Sequence, residues 1–221
     1  MHAPPRLAIF DCDGTLVDSQ ANIVAAMAAT FDRHDLPAPP PNDTRRAVGL
    51  SLPQVMARLA PQVDAEQQAR MVDDYRQCFQ AMRAERRLFE EPLFPGTLAA
   101  LDRLSAAGWQ FGIATGKSDR GLTHVLDIHG IADRFVTLQT ADRHPSKPDP
   151  AMLHHALGEA GADAAAAVMI GDTVFDMAMA ANAGVRAIGV AWGYHAPDEL
   201  LAAGAEIVAD DYAQLAEVLC T

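Results

Sequence analysis

Cysteine is scarce: only Cys12, Cys78 and Cys220 occur, an odd number at wide spacing. Neither a disulfide framework nor a CxxC zinc site is expected, so any bound metal has to be held by oxygen. Positive charge is also in short supply, with 17 Lys and Arg against 29 Asp and Glu and a formal net charge of -12. That balance argues against nucleic acid as a partner, because phosphate backbones are bound by clustered cations. The same field repels small anions at long range, so an anion site here needs a cation placed locally. No apolar run approaches the roughly 20 residues of a bilayer-spanning helix. The opening MHAPPRLAIFDCDGT also lacks a charged stretch followed by a cleavable apolar one. The expectation is a cytoplasmic protein, monomer or homodimer, with no membrane partner.

Half of the 221 residues are hydrophobic, enough to bury one good core or a main domain with a smaller insertion. Leu7 to Phe10 form a short apolar run that ends in the polar turn DCDGT, the pattern of a buried strand. From Ser19 to about Arg87 the chain changes character. NIVAAMAATF, LPQVMARLA and EQQARMVDDYRQCFQAMRAERR are helical in pattern, and Pro37, Pro39, Pro40 and Pro41 mark a loop between the first two.

After FEEPLFPGT the rhythm becomes strand then helix. WQFGIAT, RFVTL, AAVMIGD, VRAIGVAW and EIVAD alternate with helical segments such as SDRGLTHVLDIHG and TVFDMAMAANAG. Such alternation means parallel pairing with helices on both faces of the sheet. The predicted architecture is an α/β, doubly wound parallel-sheet core, Rossmann-like, of residues 1–17 and 90–221. A helical cap domain of residues 18–89 interrupts it after the first strand.

In such sheets function collects at the carboxyl ends of the strands. The polar residues there are Asp11 and Asp13, then Thr115 to Lys117, then Lys147 before a helix, then Asp172 and Asp176. Gly14 and Thr15 complete a tight turn that lets Asp11 and Asp13 face one cavity. Asp172 ends an apolar strand with Asp176 one helical turn later, although Asp172 is also a plausible N-cap for the helix beginning near Thr173. Two carboxylates about 4 Å apart repel by roughly 4 kcal/mol at an effective dielectric of 20, so the cluster needs a cation. Oxygen ligands without a His or thiolate pair at ligand spacing select magnesium over zinc.

Thr115, Gly116 and Lys117 offer a hydroxyl, an open amide and a cation at a helix start, a cradle for phosphate. The segment is not a nucleotide P-loop: that spacing requires glycine where Phe111 stands, and Gly112 is one residue too close. Lys147, in SKPDP between stiffening prolines, can neutralise phosphate oxygens, against the commoner reading of a solvated lysine. The adjacent His154 and His155 point apart, and His124 and His129 miss the i, i+4 metal spacing. Met169, Met177 and Met179 read as core filler.

These four segments together resemble the haloacid dehalogenase-like phosphatases, close to the phosphoglycolate phosphatase branch. DCDGTLVDS is similar to the family's first motif, Thr115 to its second, Lys147 to its third and GDTVFD to its fourth. The resemblance implies a magnesium-dependent phosphatase acting on a small phosphorylated metabolite of the phosphoglycolate type. Asp11 would be the nucleophile and Asp13 the general acid and base. Asp11 and Asp172 would hold magnesium through their side chains and Asp13 through its backbone carbonyl. Thr115, the Gly116 amide and Lys147 would bind the phosphoryl oxygens, with Asp176 fixing the metal surroundings or Lys147.

The cap would select the leaving group, with Arg45, Arg46, Ser51 and Lys117 as candidates. Where the branch usually carries Asn after its Thr, this chain has Gly116, which bears on glycolate as the leaving group. The rival readings are a phosphomutase of the same superfamily, of the β-phosphoglucomutase type, and a receiver-like phospho-acceptor module. A large helical insert argues against the second.

Overall fold

The computed structural model describes residues 4–221. Six parallel strands form one sheet: β1 Arg6–Phe10, β2 Trp109–Thr115, β3 Phe135–Thr140, β4 Ala167–Gly171, β5 Arg186–Val190 and β6 Ile207–Ala209. Their spatial order is β3-β2-β1-β4-β5-β6, so the sheet winds outward in both directions from β1 and β4. Alternation along the strands explains the two layers. Ala8 and Phe10 face one core with Ile113, Ile170 and Ile188, while Leu7 and Ile9 face the other with Ala114 and Met169. Met169, Met177 and Met179 are all fully buried in that second core.

Helices α5 Thr97–Ala106, α6 Asp119–His129 and α10 Tyr212–Cys220 cover the first face. Helices α7 Ala151–Ala160, α8 Val174–Ala183 and α9 Pro197–Ala202 cover the second. Helix α5, absent from the strand and helix alternation read above, is the element that brings the chain back to the sheet edge of β1 as β2. Its apolar positions Ala100, Leu101 and Leu104 fall on one face and are buried.

Between β1 and α5 lie four helices: α1 Gln20–Arg33, α2 Pro41–Arg45, α3 Leu52–Leu59 and α4 Ala65–Ala84. The short α2 begins inside the proline-rich stretch expected to be loop. Pro41 occupies its first turn, where a missing N–H costs nothing. Met27, Phe31, Val55, Met56 and Met71 give this insert its own apolar core, against which Phe175 of α8 also packs. The two crossings between insert and sheet run side by side: Asp18 donates to the Pro92 carbonyl and Phe94 to the Leu16 carbonyl. No helix among the described residues is long and apolar enough to cross a membrane.

The turn after β1 is pinned from behind. The Tyr212 hydroxyl donates to the Thr15 carbonyl at 2.8 Å and the Trp192 indole N–H donates to the same oxygen at 3.0 Å. Tyr212→Phe removes one of these donors from a buried acceptor and is expected to cost about 1 kcal/mol, measured by urea unfolding.

Candidate active site

Two carboxylates emerge where β1 ends. The Asp11 amide still pairs with the Ile170 carbonyl of β4, which locks the start of the turn to the sheet. Gly14 follows with φ at +83°, a left-handed conformation that side chains resist. A Cβ there would also collide with the Asp172 carboxylate, so the turn can close over Asp172 only with glycine.

The turn and β4 thereby bring Asp11, Asp172 and Asp176 together. One oxygen from each lies within 4.8 Å of the others, and all three residues are buried. Lys147 reaches into this group from the loop before α7, its Nζ 2.6 Å from Asp176 and 3.0 Å from Asp11. It is fully buried, although lysine in a loop is ordinarily solvated. Were all three carboxylates ionised, the one ammonium would leave two negative charges uncompensated inside the protein.

The consequences show in the ionisation of the group. Burial pushes Asp11 up to about 7; the Lys147 ammonium opposes the rise and the charges of Asp176 and Asp13 add to it. Asp172 is raised well above the carboxylate range by burial and by Asp11 and Asp176, against the Tyr194 amide and the Thr15 hydroxyl. Burial alone would depress Lys147, but Asp11 and Asp176 outweigh it and leave the ammonium strengthened.

The oxygens differ in what they already hold. Asp176 accepts from Lys147, from the Thr173 amide at 3.1 Å and from the Thr173 hydroxyl at 2.7 Å. It forms a capping box with Thr173, which is the N-cap of α8; Asp172 is therefore not the cap, and its oxygens are free for other partners. Asp172 accepts from the Thr15 hydroxyl at 2.8 Å and the Tyr194 amide at 2.9 Å. Asp11 accepts from the Cys12 amide at 2.7 Å through Oδ1, while its Oδ2 is buried with no partner at all. An excess of carboxylate over ammonium and a donor set made only of oxygen suit a hard divalent cation such as magnesium.

Asp13 is directed elsewhere. Its carboxylate accepts from the Ser19 hydroxyl and pairs with Lys117 at 2.6 Å. Its side chain is thus outside the acidic group. Asp11, Asp13, Ser51, Thr115, Gly116 and Lys117 all line one cavity between sheet and insert. The Thr115 hydroxyl is buried and accepts from the Lys117 amide at 3.2 Å.

Gly116 is required by the insert. A Cβ there would sit 2.5 Å from the Leu50 carbonyl oxygen and 2.7 Å from that of Gly49. The loop of the insert thus rests directly on the β2 end, and the Ser51 amide donates to the Ser146 hydroxyl at 2.7 Å beside Lys147. Arg45 and Arg46 do not line this cavity. Arg46 instead forms a bidentate pair with Glu199, at 2.6 and 3.0 Å, which clasps the insert to α9.

Sequence reasoning passed over Thr15, Ser19 and Tyr194. Thr15 and Ser19 lie within or just beyond the turn it singled out. The Tyr194 amide follows β5, a strand end that the same rule would have flagged.

The charge balance makes a prediction about stability. In the absence of divalent ions, Lys147→Ala leaves three buried carboxylates without their ammonium and is expected to cost about 3–5 kcal/mol in urea unfolding. Adding Asp11→Asn should recover part of that loss, because it removes one of the charges left unpaired.

Comparison with known proteins places this geometry in a family. The model of the haloacid dehalogenase-like hydrolases matches residues 8–190. The chain is 36% identical over 214 residues to the "Probable phosphatase IndB" of Dickeya dadantii, covering 95% of this chain and 91% of the other. It is 33% identical over 218 residues to a phosphoglycolate phosphatase of Caulobacter vibrioides, covering 96% and 90%. A haloacid dehalogenase-like family hydrolase from Streptococcus pneumoniae superposes with a TM-score of 0.83 at 26% identity, over 97% of this chain and 98% of that one. With the sheet order, the strand-end carboxylates and the family match in agreement, the chain belongs to the haloacid dehalogenase-like hydrolase family.

Proposed function

We propose that this protein is a magnesium-dependent phosphatase that hydrolyses a phosphomonoester of a small metabolite through an aspartyl-phosphate on Asp11. The observation that carries the reading is the unpartnered, buried Oδ2 of Asp11, in a residue that also lines the cavity beside Asp13. A carboxylate oxygen with no hydrogen bond to surrender is a ready nucleophile. The phosphatase names of the relatives from Dickeya and Caulobacter support phosphoryl chemistry.

The residues divide the work in two halves. Asp11 Oδ2 forms a bond to phosphorus as the ester P–O bond breaks, and Asp13, once it has exchanged its Lys117 contact for a proton, gives that proton to the departing oxygen. Asp13 then takes a proton from water as that water attacks the phosphorus, and the P–O bond to Asp11 breaks to release phosphate. Lys147 lies 3.0 Å from Asp11 and offers positive charge beside the phosphoryl oxygens. The Thr115 hydroxyl and the Gly116 amide line the same space. Asp11 and Asp172 carboxylates, with the Asp13 carbonyl, would hold magnesium, which when bound supplies further positive charge to the transferring group. Asp176 orients Lys147, to which it is bonded at 2.6 Å. The helical insert acts as a cap whose loop excludes water from the crevice.

Asp11→Asn is expected to abolish release of phosphate from p-nitrophenyl phosphate, and Asp13→Asn to lower kcat by about 10²–10⁴-fold. Chelation by EDTA should stop turnover and added magnesium restore it. Retention of activity by Asp11→Asn at the level of a surface variant overturns the mechanism. Sustained phosphate release without any bisphosphate activator separates this reading from a phosphomutase.

A further inference from the structure

We infer that the leaving group of the substrate is a bulky apolar one, of aromatic-ring size or larger, and that the helical insert selects it. The inference rests on the phosphatase reading and names the substrate class. A cavity of about 390 Å³ runs without interruption from Asp11 and Asp13 to Phe79 on α4. That volume falls within the roughly 300–1,000 Å³ of pockets that enclose drug-sized ligands, far more than a two-carbon acid fills.

The wall away from the carboxylates carries an apolar patch. Ile23 and Met27 are four residues apart on α1, and Tyr75 and Phe79 are four apart on α4, so each helix turns an apolar pair to the space, which α4 also lines with Arg76, Gln80 and Arg83. Val55 of α3 and Val125 of α6 complete it. The Tyr75 and Phe79 rings stand with centroids 6.1 Å apart and tilted by 45°. Ile23, Tyr75 and Phe79 remain partly exposed, so an apolar body entering the cavity removes their surface from water.

The charged groups on the wall are of both signs: Arg83, whose buried Nε has no partner, and Arg120 stand against Glu91 and Asp142, so wall charge does not by itself select a second anion. Arg76 pairs with Asp73 at 3.1 Å and Lys117 with Asp13 at 2.6 Å. Arg83 lies 5.8 Å from the centre of the Phe79 ring, and Arg120 is exposed. Glu91 and Asp142 on the same wall oppose a carboxylate such as that of glycolate.

The test compares 2-phenylethyl phosphate, ethyl phosphate and 2-phosphoglycolate under magnesium. All are esters of primary alcohols, so bulk and charge vary more than intrinsic reactivity. A single methylene in an apolar pocket discriminates about 10–200-fold, so kcat/KM for 2-phenylethyl phosphate is expected to exceed the other two by at least roughly tenfold. Phe79→Ala should shrink the ratio of phenylethyl to ethyl phosphate by roughly tenfold, and Phe79→Leu should restore most of it. Equal kcat/KM for the three esters, a preference for 2-phosphoglycolate, or an unchanged ratio in Phe79→Ala overturns the inference while leaving the phosphatase reading intact. Hydrolysis of none of them overturns the inference, and failure on p-nitrophenyl phosphate as well overturns both.

Discussion

The ammonium of Lys147, buried between Asp11 and Asp176, is the contact on which the site is organised. Bringing three carboxylates out of water is costly, and one ammonium offsets only part of the cost. The remainder is visible as carboxylates that resist ionisation at Asp11 and Asp172. A structural core would shed such charge. Keeping it fits the proposed phosphatase, in which a bound cation would offset the carboxylates.

Most of the fold serves to hold that arrangement still. The sheet places β1 beside β4, so that the turn after one strand and the helix start after the other share a space. Tyr212 and Trp192 clamp the Thr15 carbonyl from one side of the turn, while the Thr15 hydroxyl binds Asp172 on the other. The turn is rigid because both ends of one residue are occupied. Thr173 uses its hydroxyl and amide to fix Asp176, which in turn fixes Lys147.

Besides Phe175 packed on its core, the insert meets the sheet through one loop. Gly49 and Leu50 lie against Gly116, Ser51 bonds to Ser146, and Arg46 clasps Glu199, so three contacts lie within a few residues of chain. The Arg46 pair is half-exposed and of modest strength, a clasp that water can compete with. Gly116 leaves no room for a side chain, because the insert backbone approaches too closely.

The alternation of apolar runs with helical segments was enough to read a doubly wound parallel sheet, because buried strands and amphipathic helices leave distinct periods in the chain. The strand-end rule likewise singled out Asp11, Asp13, Lys147 and Asp172, since polar residues that end apolar runs must face the sheet's carboxyl edge. Partnership was legible only in part. The strand-end rule already grouped Asp176 with Asp11 and Asp172, but that the Asp13 side chain turns to Lys117 depends on a contact between segments 104 residues apart, which local pattern does not encode. The same holds for Arg46, whose partner Glu199 is 153 residues away, and for the apolar cavity wall, which exists only once α1 and α4 pack around a common space.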